Sequence, residues 1–158
     1  MLVLIMRHGE AVDAYAAASD SQRHLTSRGR TESASVAQRL LERGLVPTHV
    51  YTSPFVRAVQ TAEVVAHALG LEVEVPAHAP LVPGGPSGPA LAVLDAHDPD
   101  DRVLLVSHEP TVRSLAAAIG QVDLPPFATS GVAVFEVTET TRLVGRVDPH
   151  AGWRGPRS

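Results

Sequence analysis

A continuous apolar run over residues 2–6, Leu-Val-Leu-Ile-Met, is the feature that most constrains how this chain folds. A strand that is apolar at every position must be covered on both faces, and such strands are typical of parallel sheets with helices on each side. Residues 102–106 predict a second buried strand. Because strand patterns alternate with helical patterns along the chain, we expect an α/β fold, a three-layer sandwich with a mainly parallel central sheet.

The other elements are predicted from their start and stop signals. Thr26 is a candidate N-cap, Gly44 closes the helix that follows, and Ser53-Pro54 suits the start of a second helix that stops at Gly70. The expected elements are a helix over 26–43, a strand over 48–52, a helix over 53–69, a strand over 71–75, a short helix over 90–97, a helix over 110–119, and an antiparallel C-terminal strand pair over 132–137 and 143–147.

The 158 residues of the chain fit one domain. We expect this domain to cover residues 1–148 and to be followed by a frayed tail over 149–158. Residues 76–89 contain five Pro and three Gly, so they predict a surface loop, an insertion or a lid, and not a domain boundary.

Composition excludes several classes of function. The chain has no Cys, which excludes disulfides, thiolate metal sites and a Cys nucleophile, and all 13 of its basic residues are Arg, which excludes a Schiff-base lysine. A net charge of −4 and 4% aromatic residues argue against a nucleic-acid partner. The apolar run over 2–6 is too short for a membrane span or a signal-peptide core, so we expect no membrane partner and a cytoplasmic location.

The residues with chemical potential follow the predicted strands. Arg7 and His8 end the first strand, Arg57 lies on the first turn of the helix after the second, and His108 follows the strand over 102–106. Ligands of open α/β sheets bind beyond the carboxyl ends of the strands. If these strands are neighbours, two guanidiniums and two imidazoles meet beside two helix starts, an arrangement suited to a phosphoryl dianion.

One histidine of such a pocket can attack phosphorus while the other donates to the phosphoryl oxygens. A nucleophilic imidazole must be neutral, and neighbouring Arg charges disfavour its protonated form. Gly9, directly after His8, allows close approach of backbone and phosphate.

Three segments resemble the motifs of one family. Arg7-His8-Gly9, the stretch over residues 53–62 (Ser-Pro-Phe-Val-Arg-Ala-Val-Gln-Thr-Ala) and residues 107–110 (Ser-His-Glu-Pro) are similar to the three motifs of the histidine phosphatase superfamily, which has the phosphoglycerate mutase-like fold. Further matches over residues 19–29 and 126–130, and the small size, resemble the SixA-type phosphohistidine phosphatases within it. The resemblance covers residues 1–148.

This resemblance implies a function and a set of site residues. His8 would be the nucleophile, carrying a covalent phosphohistidine intermediate that water hydrolyses, and Arg7, Arg57 and His108 would form the phosphate pocket, with Glu109 beside it as a further substrate-binding residue. It implies no metal and no organic cofactor. The substrate would be a phosphohistidine-bearing phosphotransfer protein, and phosphate would be a product.

The general acid of the reaction stays open. Many superfamily members carry an acidic residue in the loop after the third strand, but residues 80–85 of this chain contain no carboxylate. A protonated phosphoramidate needs little acid assistance, whereas an alkoxide does, so this departure favours phosphohistidine as substrate. Glu10 or Glu109 remains a candidate acid. The alternatives are a broad phosphomonoesterase for small metabolites and a phosphate-binding module without catalysis.

Each site residue also has a structural interpretation. His8 is compatible with a satisfied core histidine, His108 with a helix cap, and Arg57 with a surface pair to Glu63 or Glu10. Arg23 is expected to pair with Asp20 or Asp13. The other histidines show no spacing typical of a metal site and are interpreted as surface or packing residues: His24, His49, His67, His78, His97 and His150.

Overall fold

The computed structural model describes residues 1–156. Its strands and helices are, in chain order, β1 (Leu2–Arg7), α1 (Ser27–Glu42), β2 (His49–Thr52), α2 (Val56–Ala68), α3 (Ser87–Leu91), β3 (Arg102–Ser107), α4 (Thr111–Gly120), β4 (Val132–Val137), β5 (Thr141–Asp148) and β6 (Gly152–Arg154). Short 3-10 segments lie at Ala14–Ala16, Asp20–Gln22, Ala79–Leu81 and Ala92–Ala96. In this described part, no helix is long and apolar enough to cross a bilayer.

All six strands form one sheet in the order β2-β3-β1-β4-β5-β6. β1 and β2 each pair with β3 in parallel, whereas β4, β5 and β6 continue the sheet in antiparallel pairs. The apolar β1 is therefore a central strand, with β3 on one side and β4 on the other. The three parallel strands end at one edge, and the segments that follow them meet there.

Helices cover both faces of the sheet, which gives the three expected layers. On one face, Val36 and Leu40 of α1 and Val65 of α2 pack against Leu4 and Met6 of β1. On the other, the apolar side chains of α4 pack against the alternate β1 residues. The fully apolar pattern of β1 thus follows from burial on both sides, and the predicted α/β sandwich with a parallel centre and an antiparallel C-terminal part is confirmed.

The strand predicted over residues 71–75 is wrong. This segment forms no strand, although Leu71, Val73 and Val75 pack against the core beside α2. One bridge joins the following residues to the sheet, because Thr52 N–H donates to the Pro76 carbonyl and His78 N–H donates to the Thr52 carbonyl. A proline has no N–H to extend such a ladder, so pairing at this edge stops after one bridge.

Several boundaries also differ from the sequence prediction. α2 begins at Val56 and not at Pro54, because the Ser53 hydroxyl accepts the Phe55 N–H in a turn before the helix. The short helix predicted over 90–97 begins earlier, at Ser87 inside the Pro/Gly-rich segment, and continues after Leu91 as a 3-10 turn. The prediction of a frayed tail from residue 149 is wrong for β6, which pairs with β5. Residues 157 and 158 of this tail lie outside the described residues.

Candidate active site

The carboxyl edge of the parallel strands brings the predicted site residues together. Arg7 is in register with Ser107 on β3, and Thr52 is in register with Val106, so the residues that follow β1, β2 and β3 emerge side by side. The ring centroids of His8 and His108 lie 5.1 Å apart. Two histidines separated by a hundred residues therefore lie side by side at this edge of the sheet.

Hydrogen bonds set the orientation of the His8 ring. Nδ1 lies 2.7 Å from the Gly9 carbonyl oxygen, which only accepts, so Nδ1 carries the proton. Nε2 therefore presents its lone pair, and Arg57 Nε lies 3.3 Å from it as a donor. The residue is 9% exposed. His8 thus directs an unprotonated nitrogen toward the guanidinium and not toward bulk water.

The backbone around His8 is held tightly. The Gly9 N–H donates to Thr61 Oγ1 at 2.9 Å, and the Ser130 N–H donates to the His8 carbonyl at 3.1 Å. A Cβ atom at position 9 would lie 2.8 Å from Ser33 Oγ and 2.9 Å from the Gly29 carbonyl oxygen. Only glycine fits this close approach between the loop after β1 and α1, so the position of His8 depends on it.

Arg57 is buried and has two partners besides His8. Its Nη1 donates to the Asp20 carbonyl at 2.7 Å, its Nη2 lies 3.2 Å from the Asp20 carboxylate, and its guanidinium carbon stacks 5.1 Å from the Phe55 ring centroid. The side chain is 6% exposed. A surface pair with Glu63 or Glu10 is therefore wrong. The anchored guanidinium keeps a fixed direction relative to the His8 ring.

Arg7 lies at the end of β1 and is anchored through one nitrogen. Its Nη1 donates to the Phe127 carbonyl at 2.7 Å. Its Nε is buried and has no hydrogen-bond partner in the described part of the chain. A buried N–H without a partner costs free energy, so this atom is suited to an acceptor that enters with a ligand.

His108 is held by Ser53, the residue directly after β2. His108 Nε2 lies 2.7 Å from Ser53 Oγ, and the same hydroxyl accepts the Phe55 N–H at 3.2 Å. In the tautomer whose Nε2 accepts the Ser53 hydroxyl proton, Nδ1 is the N–H of the His108 ring. Nδ1 is buried and, among residues 1–156, has no hydrogen-bond partner. Together with Arg7 Nε, it is a second donor available to an anion.

Burial controls the charge of both histidines. Burial lowers the pKa of His8 to about 4, and the Arg57 and Arg7 charges lower it further, against the opposing effect of the Gly9 carbonyl. Burial likewise lowers the pKa of His108 to about 3, with His8 and Arg57 as the next causes. Both rings are therefore neutral near pH 7, which suits His8 to nucleophilic attack and leaves one N–H donor on His108.

The two glutamates considered as general acids are engaged elsewhere. Glu10 accepts the Thr26 hydroxyl at 2.9 Å. Glu109 accepts the Phe127 N–H at 3.0 Å and forms an ion pair with Arg113 one helical turn later. Neither carboxylate contacts His8 or His108 through these bonds, so the structure gives no support for Glu10 or Glu109 as the general acid.

Asp20 is the residue of the site that sequence reasoning placed incompletely. Its predicted pair with Arg23 is confirmed at 3.1 Å, but it also binds Arg57 and so lies at the rim of the pocket. The hydrogen bond from Arg23, with help from Arg57, holds the pKa of the Asp20 carboxyl below its usual value. Asp20 is therefore ionised at neutral pH and orients Arg57, a role that loop sequence alone does not reveal.

The Pro/Gly-rich segment over 76–89 is packed beside the site. Leu81 is fully buried, and its carbonyl accepts the Ser107 hydroxyl at 2.6 Å. The Gly84 N–H donates to Thr111 Oγ1 at 2.9 Å, at the start of α4. These bonds fasten the segment to the base of the pocket.

Comparisons with known proteins agree with this geometry. A model of the histidine phosphatase superfamily (branch 1) matches residues 3–78. The phosphohistidine phosphatase SixA of Escherichia coli strain K12 is 39% identical over 143 residues, which are 89% of this chain and 88% of that protein. An uncharacterized protein of Picosynechococcus is 41% identical over 122 residues, 75% of this chain and 73% of that protein.

A solved structure of the protein histidine phosphatase SixA in complex with tungstate has the same fold. It superposes with a TM-score of 0.85 at 37% identity and covers 94% of this chain and 97% of that one. The similarity in sequence and in structure thus covers most of the chain. The chain therefore belongs to the histidine phosphatase superfamily, and its activity is that of a phosphatase.

Proposed function

We propose that this phosphatase hydrolyses phosphohistidine carried by a phosphotransfer protein, through a covalent phosphohistidine intermediate on His8. The observation that carries the proposal is the orientation of His8, with Nδ1 bonded to the Gly9 carbonyl and the Nε2 lone pair directed at the Arg57 Nε–H, which a phosphoryl oxygen takes over before Nε2 attacks. We assign the phosphoryl oxygens to Arg7, Arg57 and His108. Glu109 is left out of the chemistry, since it holds Arg113 and the Phe127 N–H.

In the first transfer, His8 Nε2 attacks phosphorus and the bond from phosphorus to the substrate imidazole breaks. The substrate ring leaves as neutral imidazole, because it keeps the proton on its other nitrogen. The positive charge that develops on His8 is stabilised by the Nδ1–H bond to Gly9 at 2.7 Å. The transferred group meets guanidinium and imidazole donors that are already held in the site, and the Arg57 Nε–H moves from His8 Nε2 to a phosphoryl oxygen as the group binds.

In the second transfer, water attacks phosphorus and the bond to His8 Nε2 breaks. The electron pair returns to Nε2, the proton stays on Nδ1, and the water proton leaves with phosphate. His8 is thus restored in its starting tautomer. The low pKa of about 4 makes neutral His8 a good leaving group, as an imidazole that resists protonation is released without an acid.

The partners of the carboxylates support phosphohistidine as the substrate class. An alkyl phosphate needs a protonated acid near its bridging oxygen, because alkoxide is a poor leaving group. Asp20 is ionised and bound to two arginines, and Glu10 and Glu109 are engaged with other groups. Phosphohistidine does not need this acid, which favours it over a phosphomonoester.

Relatives support the proposal from a different direction. The Escherichia coli relative is named as a phosphohistidine phosphatase, and the solved SixA structure holds tungstate, a tetrahedral oxyanion like phosphate. A protein-borne phosphohistidine must also reach the site. Hydrogen bonds hold the 76–89 segment in place, so we do not expect it to act as a lid that must open first. The phosphotransfer partner and a cytoplasmic location are part of this proposal.

A comparison of turnover rates for different substrates tests the proposed function. Steady-state kcat/KM is measured for a histidine-phosphorylated transfer domain, an aryl phosphate and an alkyl phosphate, with wild type and His8→Ala in parallel. The proposal predicts turnover of phosphohistidine at least about a hundredfold above that of the alkyl phosphate, the range expected of general acid catalysis, and none by His8→Ala. Equal or faster turnover of the alkyl phosphate would show that the enzyme is a phosphomonoesterase instead.

A further inference from the structure

Two histidines and an aspartate meet at the end of the sheet opposite the active site. His49 begins β2, Asp101 directly precedes β3, and His97 follows the 3-10 turn Ala92–Ala96. Their nitrogen and carboxylate oxygen atoms all lie within 4.8 Å of one another. Because β2 and β3 are parallel, this cluster lies at their amino ends, whereas the catalytic residues follow their carboxyl ends. It is therefore separate from the phosphatase site.

We propose that His49, His97 and Asp101 bind a divalent transition-metal ion of the zinc class. Two imidazole nitrogens and a carboxylate are a donor set that suits Zn²⁺. Bonds of about 2.0–2.2 Å place neighbouring donors of a tetrahedral ion about 3.3–3.6 Å apart. In the structure, His97 Nδ1 is 3.3 Å from Asp101 Oδ2, and His49 Nδ1 is 3.7 Å from Asp101 Oδ1.

Neighbouring groups already orient the three ligands. His97 Nδ1 donates to Asp101 Oδ2 at 3.3 Å, since a carboxylate only accepts. When an ion binds Nδ1, the ring proton moves to Nε2, where the Tyr51 hydroxyl at 2.7 Å accepts it. Metal-binding histidines commonly donate their second N–H in this way. Thr48 Oγ1, 2.9 Å from His49 Nδ1, has another acceptor in the Arg102 carbonyl at 3.1 Å. When His49 Nδ1 binds an ion, the threonine hydroxyl can therefore still donate to the Arg102 carbonyl.

Exposure and charge favour a cation here. The side chain of His97 is 6% exposed and that of Asp101 22%, whereas that of His49 is 44% exposed, so an ion can reach the cluster from the His49 side. Exposed Asp98 and Asp100 add negative charge beside Asp101. The neighbouring cation, Arg102, is engaged elsewhere, because its Nε–H donates to the Val46 carbonyl at 2.6 Å. The expected complex is a half-open three-ligand site completed by water.

A metal ion at this position would join the amino ends of β2 and β3 to the turn before them, so its effect is on stability. Saturation about a hundredfold above Kd raises Tm by on the order of 5–10 °C for a chain of this length. Turnover at the distant His8 does not depend on it. Failure of the metal proposal and failure of the proposed phosphatase function are therefore separate results.

Zinc titration of the metal-free full-length protein tests the site. Isothermal titration calorimetry with ZnCl₂ in a phosphate-free buffer is expected to give one ion per chain, with affinity reduced about tenfold or more in His49→Ala and in Asp101→Asn. His49→Ala changes a half-exposed side chain at a sheet edge, and circular dichroism checks that it folds. His67→Ala, an exposed histidine on α2, is the matched control and keeps wild-type affinity.

The second control is His8→Ala, which removes one histidine of the catalytic pair and is expected to bind zinc like wild type. Loss of binding in His8→Ala would place the ion in the phosphatase site and overturn the proposal. Undiminished binding in His49→Ala and Asp101→Asn, or no zinc binding by the wild-type protein, would overturn it as well.

Discussion

Acidification should destabilise this protein through the two buried histidines of the candidate site, His8 and His108. Their pKa values are about 4 for His8 and about 3 for His108 in the folded chain, against 6.5 for an unperturbed histidine. Below about pH 6.5 the unfolded chain takes up protons that the folded chain does not, so stability present above that pH is lost as pH falls. At about pH 5 the loss is about 2 kcal/mol for each ring, and about 4 kcal/mol for both.

Urea unfolding of matched variants isolates this effect. Wild type and His8→Asn are unfolded at about pH 7.5 and about pH 5, and the difference in unfolding free energy is compared. Wild type should lose about 2 kcal/mol more than His8→Asn, because the variant has only His108 left to titrate in this way. His67→Asn, an exposed substitution of the same kind, serves as the control. Equal losses in wild type and His8→Asn would refute the assignment of a depressed pKa to His8.

Other substitutions test the remaining contacts of the site. Arg57→Ala should lower kcat/KM about a hundredfold or more in steady-state kinetics, as the loss of an oxyanion donor does. Arg57→Lys should recover little of this activity, because an ammonium group cannot donate to Asp20 and to the phosphoryl group in the planar geometry of a guanidinium. Ser53→Ala should lower kcat about tenfold by releasing His108, measured on folded protein. Gly9→Ala should lower unfolding free energy by about 1–3 kcal/mol in urea denaturation, since its Cβ meets backbone and Ser33.

The meeting of the site residues was predictable because it depends on strand type and direction alone. A run that is apolar throughout indicates a central parallel strand, and parallel strands present their carboxyl ends at one edge. Arg7, His8 and His108 follow such strands directly. Arg57 lies in the first turn of the helix after β2, so its position near the site was predictable. Its burial and its ion pair with Asp20 were not.

Contacts made by loops and sheet edges were not predictable from local patterns. Asp20 reaches Arg57 only because the loop after β1 folds back over α2, which depends on distant contacts. Residues 71–75 alternate like a half-buried strand, yet the edge position of β2 and the absence of an N–H on Pro76 prevent a ladder. His49 and His97 lie 48 positions apart in the sequence, so spacing rules for metal ligands did not detect them.

Trapping of the phosphoenzyme tests the central claim most directly. The protein is mixed briefly with a radiolabelled phosphohistidine substrate, denatured in alkali and digested with trypsin, which releases residues 8–23 with His8 as their single histidine. We predict an acid-labile, alkali-stable label on that peptide in the wild-type protein and no label in His8→Ala. A label on any other peptide, or hydrolysis that continues in His8→Ala, would contradict it.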